Sequence, residues 1–332
     1  MAQARASLGF VPYGEESRKY RRTVFEHKDW LLHRSNTRLF DNLKNTIKSG
    51  VVRSILLEVY TATSIAIFVC MWNALILNTP NLSKVFLLSL PLAPFTLSAS
   101  SLGLLLVFRT NASYARWLEG RTTWGRIMAH SKNIVRQASV WTTGGREEMQ
   151  MLRDGVWSFS RVLIRNLRGE EDETKLVAEF QERGISSTLL IDAKPSLRPS
   201  LALRELTLCM DKLSMDDKKK VEADKSVIIM GEACETVERI FSSPVPLVYT
   251  RHTARFLSSY LLLLPIGLWS SFTDSWNHWL IIPTTAILAI FLFGIDELAI
   301  QLEEPFSILP LEVLTKAMDE TNEAYMECCG KN

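Results

Sequence analysis

Four runs without a Lys, Arg, Asp or Glu punctuate the chain: Val59 to Ser83, Val85 to Phe108, Phe256 to Thr273 and Ser275 to Ile295. Crossing the hydrocarbon core of a bilayer takes roughly 20 apolar residues in a helix, and these runs match that length. Trp72, Trp269, Trp276 and Trp279 lie near their ends, where amphipathic rings collect at membrane interfaces. The pattern predicts four membrane spans rather than helices buried in a soluble core. Between the second and third runs, apolar positions recur at helical spacing. Tyr114 to Trp141 continues the second run as helix until Gly144-Gly145. Met149, Leu152, Val156, Phe159, Leu163 and Leu167 mark a helix over 146–167, and three more are predicted over 174–183, 200–213 and 218–241. A loop is expected over 184–199, and Asp216-Asp217-Lys218-Lys219-Lys220 reads as a solvated helix start. No strand alternation and no repeat occurs. The fold class is all-α: a polytopic membrane protein with a helical extramembrane domain. Its parts are a basic amino-terminal segment (1–53), two spans (54–108, the second over 85–108), a helical domain (109–255), two more spans (256–302) and a carboxyl tail (303–332).

Charge then orients these elements. Two pairs of spans put both termini and the helical domain on one side. The other side receives only the links Asn78 to Lys84 and Phe272 to His278, which hold one Lys and no Arg. Residues 1–53 carry eleven Lys/Arg against five Asp/Glu, so the basic residues crowd the side that positive-inside orientation favours. The five cysteines form no CxxC pair, which suits a reducing compartment. Met1 to Arg5 has no apolar signal core; a plastid protein would have lost its transit peptide before this point.

A search for reactive constellations finds none. GxGxxG, P-loop and GxSxG patterns are missing, and the five histidines show no metal spacing. Asp296-Glu297 and Glu303-Glu304 fit a hydrated acidic helix end better than a metal site. The expectation is therefore no enzyme activity, no cofactor and no nucleic-acid partner. The second span is unusual in another way. It holds Pro91, Pro94, Thr96, Ser98, Ser100, Ser101 and Gly103, and the face Ala93, Leu97, Ser101, Leu105 mixes small, apolar and hydroxyl groups. Taken alone, this polarity fits a pore lining and tight helix–helix packing equally well.

Motifs in three places bear on that choice. Pro94-Phe95-Thr96-Leu97 opens the second span, and Phe108-Arg109-Thr110-Asn111 closes it before Tyr114-Ala115-Arg116-Trp117. Pro246-Leu247-Val248-Tyr249-Thr250 precedes the third span, and Glu304-Pro305-Phe306 follows the fourth. From about Trp30 to about Thr315 the chain resembles the bestrophin-like anion channels, closest to their plant thylakoid chloride-channel branch. The resemblance implies a homopentamer with the second spans around an axial pore. It implies a passive, voltage-dependent channel for chloride, with nitrate and bromide also passing, that balances charge across the thylakoid membrane. The bulk of the chain would lie on the stromal side, with membrane lipid around the spans. It puts the pore neck at Ala93, Leu97 and Ser101. Pro94, Ser98, Leu105, Phe108, Arg109 and Arg116 become lining or anion-contacting candidates. For Arg109, headgroup anchoring or an ion pair between subunits is an equal alternative. Animal bestrophins carry an acidic calcium-binding run after the Pro-Phe turn. Here Ser307 to Glu312 holds one carboxylate, too few for calcium's six to eight oxygens, so calcium independence is expected. A proton-coupled transporter and a non-conducting membrane scaffold are the alternatives; four spans without an intramembrane carboxylate argue against the transporter.

Overall fold

The computed structural model describes residues 22–36, 40, 44, 49–79, 86–169, 173–185, 188–272 and 277–329. Among these every regular element is helical: α1 (His27–His33), α2 (Gly50–Ser54), α3 (Leu56–Asn78), α4 (Ala93–Trp141), α5 (Arg146–Arg168), α6 (Glu173–Glu182), α7 (Thr188–Asp192), α8 (Arg198–Asp211), α9 (Asp217–Ser242), α10 (Leu247–Leu268), α11 (Ile281–Glu303) and α12 (Leu311–Glu327). They form two compact units. The first holds residues 25–115 and 244–303; the second holds 116–243 and 304–332, with 21–24.

In the first unit, α3, α10, α11 and the opening part of α4 pack around Val59, Ala62, Leu102, Leu106, Leu257, Leu261 and Ala289. A smaller cluster gathers Ala66, Val69, Cys70, Trp269 and Ile281. Among the described residues, three helices are long and apolar enough to cross a membrane: α3, α4, and α11 with its preceding turn from His278. The third predicted run departs from expectation. Its helix begins at Leu247, nine residues early, and ends at Leu268 in a 3-10 turn over Trp269–Ser271. Arg251, His252 and Arg255 occupy its first turns. The 13 charge-free residues left, 256–268, make roughly 20 Å of helix, short of the roughly 30 Å hydrocarbon core. The two predicted links lie partly outside the described residues.

The second predicted run is also not helical throughout. Residues 86–92 form no helix, and α4 starts at Ala93 rather than residue 85. Prolines set this boundary. A residue before proline is pushed away from the helical region, and Pro91 imposes that on Leu90. Pro94, the second residue of α4, suits a first helical turn. The non-helical segment is held by a side chain in α3. Asn73, fully buried, donates to the Leu88 carbonyl (2.9 Å) and accepts from the Leu88 N–H (2.8 Å). The Leu90 N–H reaches the Ile266 carbonyl of α10 (3.1 Å). Beyond Pro94 no proline interrupts α4, which runs for 49 residues to Trp141.

In the second unit α5 is central. Its sequence looks amphipathic, but it is buried nearly all round, arginines included. Glu147 and Glu148 in its first turn and Arg165 and Arg168 in its last complement the helix dipole. Gly169, at φ +82°, ends it in the left-handed region. The segment expected as a loop over 184–199 contains the short α7 and a 3-10 turn before α8. The segment expected as a plain tail forms α12. Leu311, Thr315, Met318, Asn322 and Met326 of α12 are buried. Arg153 of α5 grips Asp319 with paired hydrogen bonds of 2.8 and 2.9 Å.

Candidate functional site

Up to Ser113, α4 presents two faces. Phe95, Leu102, Leu106, Arg109 and Ser113 are buried, and their steps of three, four and seven residues keep one side toward the unit's core. The opposite side carries Ala93, Leu97, Ser100, Ser101, Leu104 and Phe108, all exposed. Leu97 is 78% exposed, and Leu104 and Phe108 are each 55% exposed. Ser100 and Ser101 make no hydrogen bond among the described residues, so their hydroxyls are available to another species. A 49-residue helix thus shows an apolar stripe with hydroxyls at its middle and no charge along it.

The structure divides the sequence candidates. Ala93, Leu97, Ser101 and Phe108 share the free face. Leu105 does not: it is half-buried, and its carbonyl accepts from the Tyr249 hydroxyl (3.3 Å). Four-residue steps on a helix of 3.6 residues per turn drift by about 40° each, so the stripe from Ala93 leaves the free face by its third step. Ser98 is half-buried too, and its hydroxyl donates to the Pro94 (2.7 Å) and Phe95 (3.2 Å) carbonyls. Pro94 and Ser98 line a groove beside α10 with Phe256 and Tyr260.

Both arginine candidates are engaged. Arg109 is 4% exposed and forms an ion pair and hydrogen bond with Asp296 of α11, while its Nε has no hydrogen-bond partner among the described residues. This ion pair lies within one subunit, not between subunits as the sequence alternative had it. Arg116 donates to the Ile240 (2.6 Å) and Ser243 (2.7 Å) carbonyls, where the end of α9 leaves carbonyls without helical partners.

The remaining motifs position these elements. Tyr249 ties the start of α10 to α4, and the Val245 N–H donates to the Glu303 carboxylate (3.0 Å). The Glu304 carboxylate accepts from the Phe306 (3.0 Å) and Ser307 (3.2 Å) amides. Glu312 pairs with Arg168, and also with Arg22 (3.7 Å). Phe306 is fully buried beside Gly120, where a Cβ would stand 2.9 Å from Pro305 Cγ. Sequence reasoning missed Leu104, Asp296 as the partner of Arg109, and Asn73. Only Asn73, a buried-type amide inside an apolar run, carried a signal. No group of three or more His, Cys, Asp or Glu suited to a metal occurs among the described residues.

A family model described as "Bacterial/Fungal Bestrophin protein" matches residues 29–324. The chain is 31% identical over 304 residues to a relative named voltage-dependent chloride channel 1, chloroplastic, of Arabidopsis thaliana, covering 90% of this chain and 72% of the relative. It is 25% identical over 249 residues to a voltage-dependent anion channel-forming protein of Synechocystis, covering 72% of this chain and 79% of the relative. A solved bacterial bestrophin homologue from Klebsiella pneumoniae has the same fold, with TM-score 0.69 at 20% identity, covering 82% of this chain and 98% of the homologue.

Proposed function

Because the chain belongs to the bestrophin family, we propose that it is a passive anion channel in which five copies bring the free faces of α4 together around one axis. The observation that carries this reading is the stripe Ala93, Leu97, Ser101, Leu104, Phe108, exposed on a helix whose opposite face is fully packed. A helix bathed only in lipid has no use for free hydroxyls at its centre. On an axis, Leu97 forms an apolar ring that limits wetting, and the Ser100 and Ser101 hydroxyls donate to a partly dehydrated anion. Arg109 is balanced by Asp296, so no strong fixed charge lines this stretch. Discrimination is then weak and favours easily dehydrated monovalent anions: chloride, bromide and nitrate. In this reading α10 enters the bilayer as well, extended by the turn over Trp269–Ser271.

The finer parts rest on relatives and on particular residues. Voltage dependence and a chloroplast membrane follow the names of the plant and cyanobacterial relatives. Placement in the thylakoid extends the chloroplast names of the plant relatives, and a stromal position for the bulk of the chain is supported by the distribution of basic residues. Calcium independence is supported by the engagement of Glu304 with backbone amides and of Glu312 with arginines. The test is chloride efflux from vesicles holding the purified protein. A channel gives efflux that rises without saturation and ignores a proton gradient. Saturation with proton coupling would mark a transporter, and no flux would mark a scaffold; either outcome overturns the proposal.

A further inference from the structure

Helix α10 buries Thr253, Leu257, Leu261 and Leu264 on one side. On the other side stand Val248, Arg251, Arg255, Ser259 and Leu263, all exposed. Arg251 and Arg255 are one turn apart and face the same way. Neither they nor the neighbouring exposed His252 make an ion pair or hydrogen bond among the described residues. Two like charges at this spacing repel each other, so the helix keeps an arrangement that works against it unless an anion lies between them. They also sit at a particular height, on the last charged turn before the apolar stretch 256–268.

One turn further along α10 lies the groove already noted. Its volume is about 320 Å³, at the small end of ligand pockets. Phe256, Tyr260 and Leu263 of α10 form one wall, with Leu90, Pro91 and Phe95 opposite. Such walls offer an inorganic anion nothing, and the arginines offer a neutral lipid nothing. A cationic pair above an apolar slot is complementary to an amphiphile with an anionic head. Arg recognises phosphate through a rigid fork of donors, and long apolar chains fill apolar clefts by burial.

We infer that this edge of α10 is a binding site for an anionic membrane lipid, its headgroup between Arg251 and Arg255 and one acyl chain in the groove. The inference rests on the reading that α4 and α10 lie in the bilayer. The groove's far wall is the non-helical segment before α4 and the first turn of α4, so an occupied groove braces the start of the helix that carries Leu97.

The test is native mass spectrometry of the full chain in detergent with added phosphatidylglycerol or phosphatidylcholine. The wild type should retain phosphatidylglycerol at least severalfold more than phosphatidylcholine. The double variant R251Q/R255Q should lose that excess while keeping wild-type helicity and oligomeric state. Ser259→Trp, which fills the groove, should lower retention of both lipids. Equal retention of the two lipids by wild type, or undiminished excess in R251Q/R255Q, overturns the proposal. So does displacement of phosphatidylglycerol by inorganic phosphate with no effect of Ser259→Trp, which would mark a plain anion patch. Loss of the oligomer in Ser259→Trp with lipid retention unchanged would assign the groove to a second copy of the chain, and also overturns it. No flux is measured, so failure of the channel reading registers in the efflux assay and failure of the lipid site registers here.

Discussion

At the residue scale, Leu97 is the side chain on which the pore reading depends most. It is the largest apolar group on the upper free face and is 78% exposed. Leu97→Ala should raise conductance or open probability and weaken discrimination among anions, because a wider ring wets more readily. It should cost little stability, since an exposed side chain leaves no buried cavity. Leu97→Phe should do the reverse. Single-channel recording of both variants checks this, and unchanged conductance in both would remove Leu97 from the pathway. Arg109 makes a contrasting case. Arg109→Ala should destabilise the protein by about 3–5 kcal/mol by stranding the Asp296 carboxylate, and Asp296→Ala should partly rescue it; thermal unfolding of the single and double variants decides. The exposure of Leu97 agrees with the face that the motif picks out at the start of the helix. Ser98, Leu105 and Arg109 lie off the exposed face, and the sequence does not show this, because which side of a helix is covered depends on partners as far away as Asp296.

Among the elements, the helices with strong apolar periodicity were legible to within one or two residues: α5, α6, α8 and α9. The boundaries of the apolar runs were not. Absence of charge says that a segment is buried or in lipid, not that it is helical. Residues 86–92 are mostly apolar but not helical, because Pro91 disfavours helix before it and Asn73 supplies hydrogen bonds in its place. The role of α12 was hidden by its mixed composition; of its polar residues, Glu312, Asp319 and Glu323 meet arginines of α5. Burial works to raise the Asp319 carboxyl, but hydrogen bonds and charge from Arg153 and Arg183 outweigh it and hold it below the ordinary carboxylate range. A depressed carboxylate contributes stability above its unfolded-state pKa, and that contribution is lost as pH falls through the folded-state value. Asp319→Asn should therefore lower Tm at pH 7 by the equivalent of about 3 kcal/mol, with the gap to wild type closing below about pH 4. Thermal unfolding across pH checks this; a gap that persists at low pH would assign the effect to packing. Gly120 offers an independent test of the turn after α11. Gly120→Val pushes on the Pro305 ring and the buried Phe306, and overpacking of this kind costs about 1–3 kcal/mol. Resistance to proteolysis near Pro305 should fall with it.

For the whole molecule, the account requires an assembly, because the free face of α4 makes a pathway only when other copies close it. Mass measurement in mild detergent should give five times the subunit's 37.7 kDa; a monomer or dimer would leave the stripe without an axis. Currents should be the same in chelator and in excess calcium, and loss of current in chelator would assign a metal role to carboxylates taken here as structural. The measurement that reaches the central claim most directly is recording from the purified protein in a planar bilayer with unequal potassium chloride on the two sides. The account predicts a reversal potential close to the equilibrium potential of chloride. A reversal potential at the value for potassium, or no current at any voltage, would contradict it.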